Sequence, residues 1–580
     1  MSTNTEVAQI FYAMADLLDL QGERFKPDAY RRAARSVESL GEDLRKVAQR
    51  GGLDQIPGVG EQLREKILEY IRTGRISAYE KLRATFPPGV LELMAIPGIG
   101  PKTTGRFYTE LHVDSPAALA QAIDQGRLNG LAGFGPKKIE NLREALRAVA
   151  AAPPSSRIPL LAAWRLARSI LQELSRRTPV DALQIAGSVR RCRENCGDLD
   201  LLATSARPPE TIAVFAGLAG VRKVVMQGDT RATVIHDPGI QIDLRVVEPV
   251  SFGAAWQYFT GSKDHNIHLR TLARDAGLKI NEYGVFRGEK RVAGATEADV
   301  YDSMDMQWMY PEIRENQGEI ELAQQKKIPS LIQIEQIRGD LHRHVPDAPD
   351  RSWMKDLVAE ARRWKFQYLG LVEAPGGSAA SHRSRIEEVR RLWNEAQPEG
   401  IRLHLGWEVV LCKMMDPPDP ESLFDYIISV PDKKGSAISP KPPTSPLLRR
   451  PLFVGHLSLG APGAEVPREA AGPWIDWAQT NGVALELTAA GAEEGLDAGG
   501  ARWAHEAGVA LVLSAGAGAL SEIELTVCRA RRGWVPPDGV LNSRADAVGV
   551  TAPKVSKPKR PPRVGRTERQ GPAAGERTGP

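Results

Sequence analysis

The chain has 580 residues, 42% of them hydrophobic and 26% charged, which is too long for one core and ordinary for a folded multidomain protein rather than a fibrous or disordered one. A net charge of +4 leaves room for a polyanion only at a local basic patch. Four cysteines, Cys192, Cys196, Cys412 and Cys528, make no Cys-x-x-Cys pair, so a zinc ribbon or disulfide scaffold is excluded and a reducing compartment is expected.

The opening MSTNTEVAQIFYAMADLLDL carries no basic segment ahead of an apolar run, and no stretch of the chain is long and apolar enough to cross a bilayer. The expectation is a cytoplasmic protein without membrane contact. Residues 6 to 150 read as helices broken by Gly and Pro, with apolar residues such as Leu63, Ile67, Tyr70 and Ile71 at helical spacing. One pattern recurs three times: IPGVGEQLREKI from Ile56, IPGIGPKTTGRF from Ile96 and LAGFGPKKIENL from Leu131. Each sets a Gly-x-Gly turn between helices, with Gly58 and Gly60, Gly98 and Gly100, Gly133 and Gly135. Such turns leave backbone N–H groups bare at a helix start, where a phosphate oxygen can sit. That contact positions DNA without reading its sequence. A single copy would read equally as a packing glycine. The repetition favours DNA binding, and the segments resemble helix-hairpin-helix motifs.

From residue 181 the period changes from helical to alternating, and LDLLATS and IQIDLRVV read as half-buried strands. In GSVRRCRENCGDLDLL, Gly187 to Leu202, Asp198 and Asp200 share one strand face while Leu199 and Leu201 point to the core. Asp243 alternates in the same way between Ile242 and Leu244. If the two strands are neighbours, three carboxylates converge. Clustered carboxylates repel unless cations neutralise them, and hard oxygen ligands suit Mg²⁺ or Mn²⁺. A solvated polar strand face is the plainer reading of Asp-x-Asp. The Gly187-Ser188 turn and Arg191 weigh against it because they supply donors for a triphosphate.

Further on, QQKKIPS reads as a linker. Helices then alternate with the apolar runs YLGLVE, LFVGHLSL, VALELTA and VALVLSA, a pattern of parallel strands in an α/β domain. PDKKGSAISPKPPTSPLLRR reads as a loop. The basic, proline-rich end from TAPKVSKPKR onward has too few apolar residues for a core and reads as a disordered tail.

GSVRR…GDLDLL, IDLR, YFTGSKDHNIHLR from Tyr258 to Arg270, LKINEYGVF and YPEIRENQGEIE, in this order, resemble the palm and thumb of X-family DNA polymerases. The resemblance covers about residues 1 to 322. It implies two-metal nucleotidyl transfer on gapped or nicked DNA that offers a primer-template and a 5′-phosphate, with dNTPs as substrates and the protein as a monomer. Asp198 and Asp200 would hold both Mg²⁺ or Mn²⁺ ions, and Asp243 would join the catalytic ion and help deprotonate the primer 3′-hydroxyl. Ser188, Arg191 and Gly197 would meet the triphosphate. Tyr258 and Phe259 would pack by the sugar, Gly261 would let the backbone turn, and Asn266 and Arg270 would touch the nascent pair and the template. Lys263 stands where relatives often carry an acid. The glycine hairpins would also accommodate a monovalent cation.

The first 84 residues resemble the family's small lyase domain. Lys26 and Tyr30 align with groups for the 5′-phosphate, and Lys66 with the Schiff-base lysine, whereas Gln62 replaces a phosphate-binding lysine of some relatives. By residue type alone, Lys66 would be a surface lysine. Residues 336 to 545 resemble a PHP domain, a metal-dependent phosphoesterase. His342, His344, Glu408 and His456 match its ligands, while Glu373-Ala374, Pro431 and the SAGAG stretch at 514–518 depart from it. With these gaps, little or no 3′–5′ exonuclease or phosphatase activity and a structural role are expected, a vestigial site holding one metal through these four residues being the competing reading.

The expected fold is multidomain α+β. It comprises a helical lyase-like domain (1–84), helix-hairpin-helix fingers (85–150), a nucleotidyltransferase palm with a mixed sheet (151–254), a thumb (255–322), a linker (323–335), a degenerate α/β PHP-like barrel (336–545) and a disordered basic tail (546–580). Two other readings compete: a DNA-binding scaffold with a silent site, which the complete carboxylate set disfavours, and a template-independent transferase, which the glycine hairpins disfavour.

Overall fold

The computed structural model describes residues 3–146 apart from 24–25, 39–43, 74, 95, 97–98, 130, 132–133, 136–137, 141 and 144–145, all of 157–373, and 379–548 apart from 411–423, 431–441, 443–451 and 517. The expected Pro/Ser/Lys loop (apart from Pro442) and nearly all of the basic tail fall outside these residues. The chain divides into two compact units. One comprises Met1–Ile158, Leu166–Arg191 and Cys196–Ile328; the other Pro159–Arg165, Cys192–Asn195 and Pro329–Pro580. The border at Ile328 lies within the linker expected from QQKKIPS.

In the first unit, α1 (Thr3–Leu20) and α2 (Lys26–Glu38) pack face to face. Val7, Phe11 and Met14 of α1 meet Ala33, Ala34 and Val37 of α2, and Leu63 and Ile67 of α3 (Glu61–Thr73) complete the core. These residues recur at three- and four-residue spacing, so each helix buries one stripe. The second glycine of each hairpin starts the helix that follows. The Gly60 carbonyl accepts from the N–H of Leu63 and Arg64, that of Gly100 from Thr104 in α4 (Pro101–Leu111), and that of Gly135 from Lys138 and Ile139. Gly58 turns at φ +82°, a conformation that costs glycine little. Gly98 and Gly133 lie outside the described residues.

The palm is a five-stranded mixed sheet. Its strands are β1 (Ala182–Ile185), β2 (Asp198–Thr204), β3 (Val221–Gln227), β4 (Arg231–His236) and β5 (Ile240–Val246), in the spatial order β1-β2-β5-β4-β3. β2 and β5 run parallel and the other pairs antiparallel. A one-turn helix, α5 (Gly187–Arg190), stands between β1 and β2 where the sequence suggested a simple turn. Next come α6 (Phe252–Thr260), α7 (Lys263–Asp275), the three-stranded antiparallel sheet β6 (Lys279–Asn281), β7 (Gly284–Arg287) and β8 (Lys290–Ala293), and α8 (Glu297–Asp302).

Among its described residues the second unit holds a sheet of seven strands, all parallel and adjacent in chain order. They are β9 (Gly339–His344), β10 (Tyr368–Glu373), β11 (Arg402–Val410), β12 (Tyr426–Val430), β13 (Phe453–Val454), β14 (Ala484–Thr488) and β15 (Leu511–Ser514). Strand faces are apolar on both sides, with Leu369, Leu405, Leu485 and Leu513 in one core and Leu341, Ile428, Phe453 and Val512 in another, as a parallel sheet covered on both faces requires. The first and last strands are tied together: the Asn542 amide donates to the carbonyls of Gly339 and Leu513, and Asp340 accepts from the N–H of Ala515. The sheet is thus a nearly closed barrel, and the expected α/β PHP-like architecture holds.

Candidate active site

The three aspartates come together because β2 and β5 are neighbours. In their register Asp200 pairs with Asp243 and Asp198 with Gln241, so the side chains of Asp200 and Asp243 leave adjacent strands on one face at the usual inter-strand spacing. Leu199, Leu201, Ile242 and Leu244 are buried and anchor both strands. Asp243, expected on an exposed polar face, is itself buried at 7% exposure. Its strand is central, and β4 brings Thr233 directly opposite it. Thr233 Oγ1 donates to Asp243 Oδ1 at 2.5 Å, and Gln241 Nε2 donates to Oδ2 at 2.7 Å. Sequence reading missed both partners.

Burial, then repulsion from Asp198 and Asp243, pushes the Asp200 carboxyl up to about 7; burial and Asp243 also raise Asp198. Three clustered carboxylates, two of them (Asp198 and Asp200) with raised proton affinity, are a donor set that divalent cations would satisfy. Gly187 sits against them at φ +61°, and a Cβ there would come within 2.3 Å of Asp200 Oδ2. That close approach explains the glycine.

Beside the carboxylates lies a cleft lined by Gly187, Ser188, Arg191, Asp198, Asp200, Tyr258, Phe259, Thr260, Gly261, Lys263, Asn266 and Arg270. The structure therefore gathers the expected nucleotide-side residues into one cavity. Gly197 is the exception, lying instead beside the Arg157 side chain. Ser188 Oγ is buried and makes no hydrogen bond among the described residues. Arg191 bonds to the Thr260 carbonyl and, at 3.2 Å, to Glu315. Asn266 donates to the Tyr258 carbonyl at 2.7 Å and accepts from Gln257, which couples α7 to the end of α6.

In the N-terminal domain, Lys66 is partly exposed on α3 and its Nζ donates to the Gln62 carbonyl at 3.2 Å. Tyr30 is half-buried, edge-on to Phe11 at 5.6 Å. Lys26 is exposed and pairs with Glu23 at 3.0 Å.

In the barrel, His342, His344, Glu408 and His456 present one ligand atom each within 4.8 Å of one another. His342 Nδ1 is held by Glu486 Oε1 at 2.7 Å, which also accepts from Ser514 Oγ at 2.6 Å. His342 Nε2 is consequently turned away, buried and without a hydrogen bond among the described residues. A carboxylate behind a histidine is the usual support for a metal ligand, so these residues fit an ion. Around them the departures are filled from within: Glu373 pairs with His382 at 3.1 Å, and Arg343 donates to the carbonyls of Gly516 and Gly518. Ala374 and Pro431 lie outside the described residues.

Comparison with known proteins agrees with this geometry. Residues 255–315 match the DNA polymerase beta thumb family, residues 2–76 a helix-hairpin-helix domain and residues 90–148 a SAM-like helix-hairpin-helix tandem. The DNA polymerase/3′-5′ exonuclease PolX of Bacillus subtilis is 30% identical over 563 residues, covering 93% of this chain and 97% of that protein. DNA polymerase lambda of Arabidopsis thaliana is 23% identical, covering 54% of this chain and 62% of that protein; the same enzyme of Rattus norvegicus is 23% identical, covering 54% and 56%. With a relative matching over nearly its full length, and the palm carboxylates, thumb and glycine hairpins in place, the chain belongs to the X family of DNA polymerases.

Proposed function

We propose that this protein adds nucleotides to a primer 3′-end across short gaps in DNA, as a monomer in the cytoplasm at the nucleoid. The observation that carries the proposal is the meeting of Asp198, Asp200 and Asp243 on adjacent strands, with Asp198 and Asp200 lining the cleft. Two divalent ions held by these carboxylates would supply charge neutralisation at the attacking and leaving oxygens. The protein's own groups do the rest. Asp243, unable to turn freely between Thr233 and Gln241, is placed to take up the primer hydroxyl proton. Ser188 and Arg191 line the cleft and would turn their donors to phosphate oxygens. Tyr258 and Phe259 form its sugar-side wall and exclude a bulkier ribose. The N-cap glycines of the hairpins present backbone N–H groups to DNA phosphates on either side of the gap.

The test is extension across a one-nucleotide gap bearing a 5′-phosphate, with Mg²⁺ or Mn²⁺, comparing wild type with Asp243→Ala. Templated insertion that disappears in the variant supports the proposal. A folded wild-type protein that binds gapped DNA but inserts nothing refutes it.

Two further activities follow the same family logic. Lys66 is proposed as the amine of a 5′-deoxyribose phosphate lyase, supported by its place on the helix after the first glycine hairpin. The barrel is proposed to hold one ion through His342, His344, Glu408 and His456 but to lack 3′–5′ exonuclease activity. This rests on the orphaned His342 Nε2 and on protein groups occupying the neighbouring positions.

A further inference from the structure

The Asp243 carboxylate is gripped before any substrate arrives. Thr233 on β4 lies directly across the ladder from it and donates to Oδ1 at 2.5 Å; Gln241, two residues earlier on β5 and so on the same face, donates to Oδ2 at 2.7 Å. Each donor uses one acceptor site per oxygen, and an ionised carboxylate has about four. One lone pair on each oxygen therefore stays available. Both donors are neutral, so they orient the group without cancelling the charge that recruits a cation. Arg231 Nη2 stands 3.5 Å from the same Oδ1, but its side chain is 44% exposed, and solvent screens its pull.

We infer that Thr233 and Gln241 are positioning residues for nucleotidyl transfer, a neutral two-sided clamp that sets the rotamer of Asp243. The inference rests on the reading of Asp243 as a catalytic carboxylate. An unclamped Asp243 would sample other rotamers. The loss should then fall on the chemical step and on metal use rather than on nucleotide binding, because neither Thr233 nor Gln241 lines the cleft.

The experiment is single-nucleotide gap filling by the full chain, with dNTP and Mg²⁺ varied separately, for wild type, Thr233→Val, Thr233→Ser, Gln241→Leu and Asp243→Ala. Thr233→Val and Gln241→Leu should each lower kcat roughly ten-fold, the usual weight of a hydrogen bond to a charged group. KM for the dNTP should stay within about two-fold of wild type, and half-saturating Mg²⁺ should rise. Thr233→Ser, which keeps the hydroxyl, should restore kcat; failure to do so counts against the clamp. If both clamp variants melt like wild type and keep kcat and Mg²⁺ dependence while Asp243→Ala is dead, the clamp is refuted and the catalytic reading survives. If Asp243→Ala remains active, both fall together.

Discussion

Replacing Glu297 by glutamine should loosen the whole thumb side of the cleft. Glu297 opens α8 and spans two guanidiniums: its oxygens lie 2.7 Å from both Nη atoms of Arg190, and 2.7 and 3.2 Å from those of Arg314. Side-chain exposure is 11% for Arg190, 5% for Glu297 and none for Arg314. Burial alone would raise the Glu297 carboxyl, but Arg314 and Arg190 outweigh it and hold it at about 2, against an ordinary 4.5. That depression corresponds to roughly 3 kcal/mol, at the low end of the ~3–5 kcal/mol expected for breaking a buried ion pair. Glutamine keeps the volume but turns a donor toward a guanidinium and leaves two buried cations without their counterion. The expected loss is about 3 kcal/mol at pH 7.

The folded value is depressed, so the contribution is complete well above 4.5 and fades as pH falls from there toward 2. At pH 3 it should shrink to about 1 kcal/mol. Thermal melting and amide exchange of α6 and α8, at pH 7 and at pH 3, read both numbers. A loss below about 1 kcal/mol at pH 7, or an equal loss at both pH values, would refute the reasoning.

Gly187→Ala should lower the melting temperature, since a Cβ at φ +61° is strained, and lower gap filling at least about a hundred-fold, because the new methyl must displace the Asp200 carboxylate; activity near wild type would contradict the close approach. Asp200 titrates near 7 when no ion is bound, so Mg²⁺ binding should release a proton below that pH and strengthen as pH rises to about 8. The same raised carboxyl makes the metal-free fold lose stability as pH rises from about 4 to 7. Calorimetry in buffers of different ionisation enthalpy checks the proton release, and none at pH 6 would sink the idea. Lys66→Ala should abolish borohydride trapping on a 5′-deoxyribose phosphate end while sparing gap filling; undiminished trapping would exclude Lys66 as the Schiff-base amine. Dialysed wild-type protein supplied with Zn²⁺ or Mn²⁺ should retain about one barrel-bound equivalent, the ligand set of one site, that His342→Ala cannot hold. Two or more equivalents lost together on His342→Ala, or nuclease activity that disappears with His342, would overturn the single-ion reading.

Much of this was legible along the chain because it is local. Alternation alone put Asp198 and Asp200 on one face with Leu199 and Leu201 beneath them, and the repeated Gly-x-Gly marked where helices restart. Spacing fixes strand faces and caps within a few residues. The pairings that complete the site are long-range. Nothing in Gly239-Ile240-Gln241 says that β5 will lie parallel to β2, nor that β4 will set Thr233 against Asp243 and bury it. The barrel divides the same way. His342 and His344 announced themselves by their spacing, but Glu486 behind His342, and His382 bonded to Glu373, became visible only when distant strands and helices packed. Sequence by itself determined the donor types and the strand faces. Tertiary structure alone decided which donors meet and which lose their solvent, since both depend on strand neighbours that the backbone pattern of a single segment does not encode.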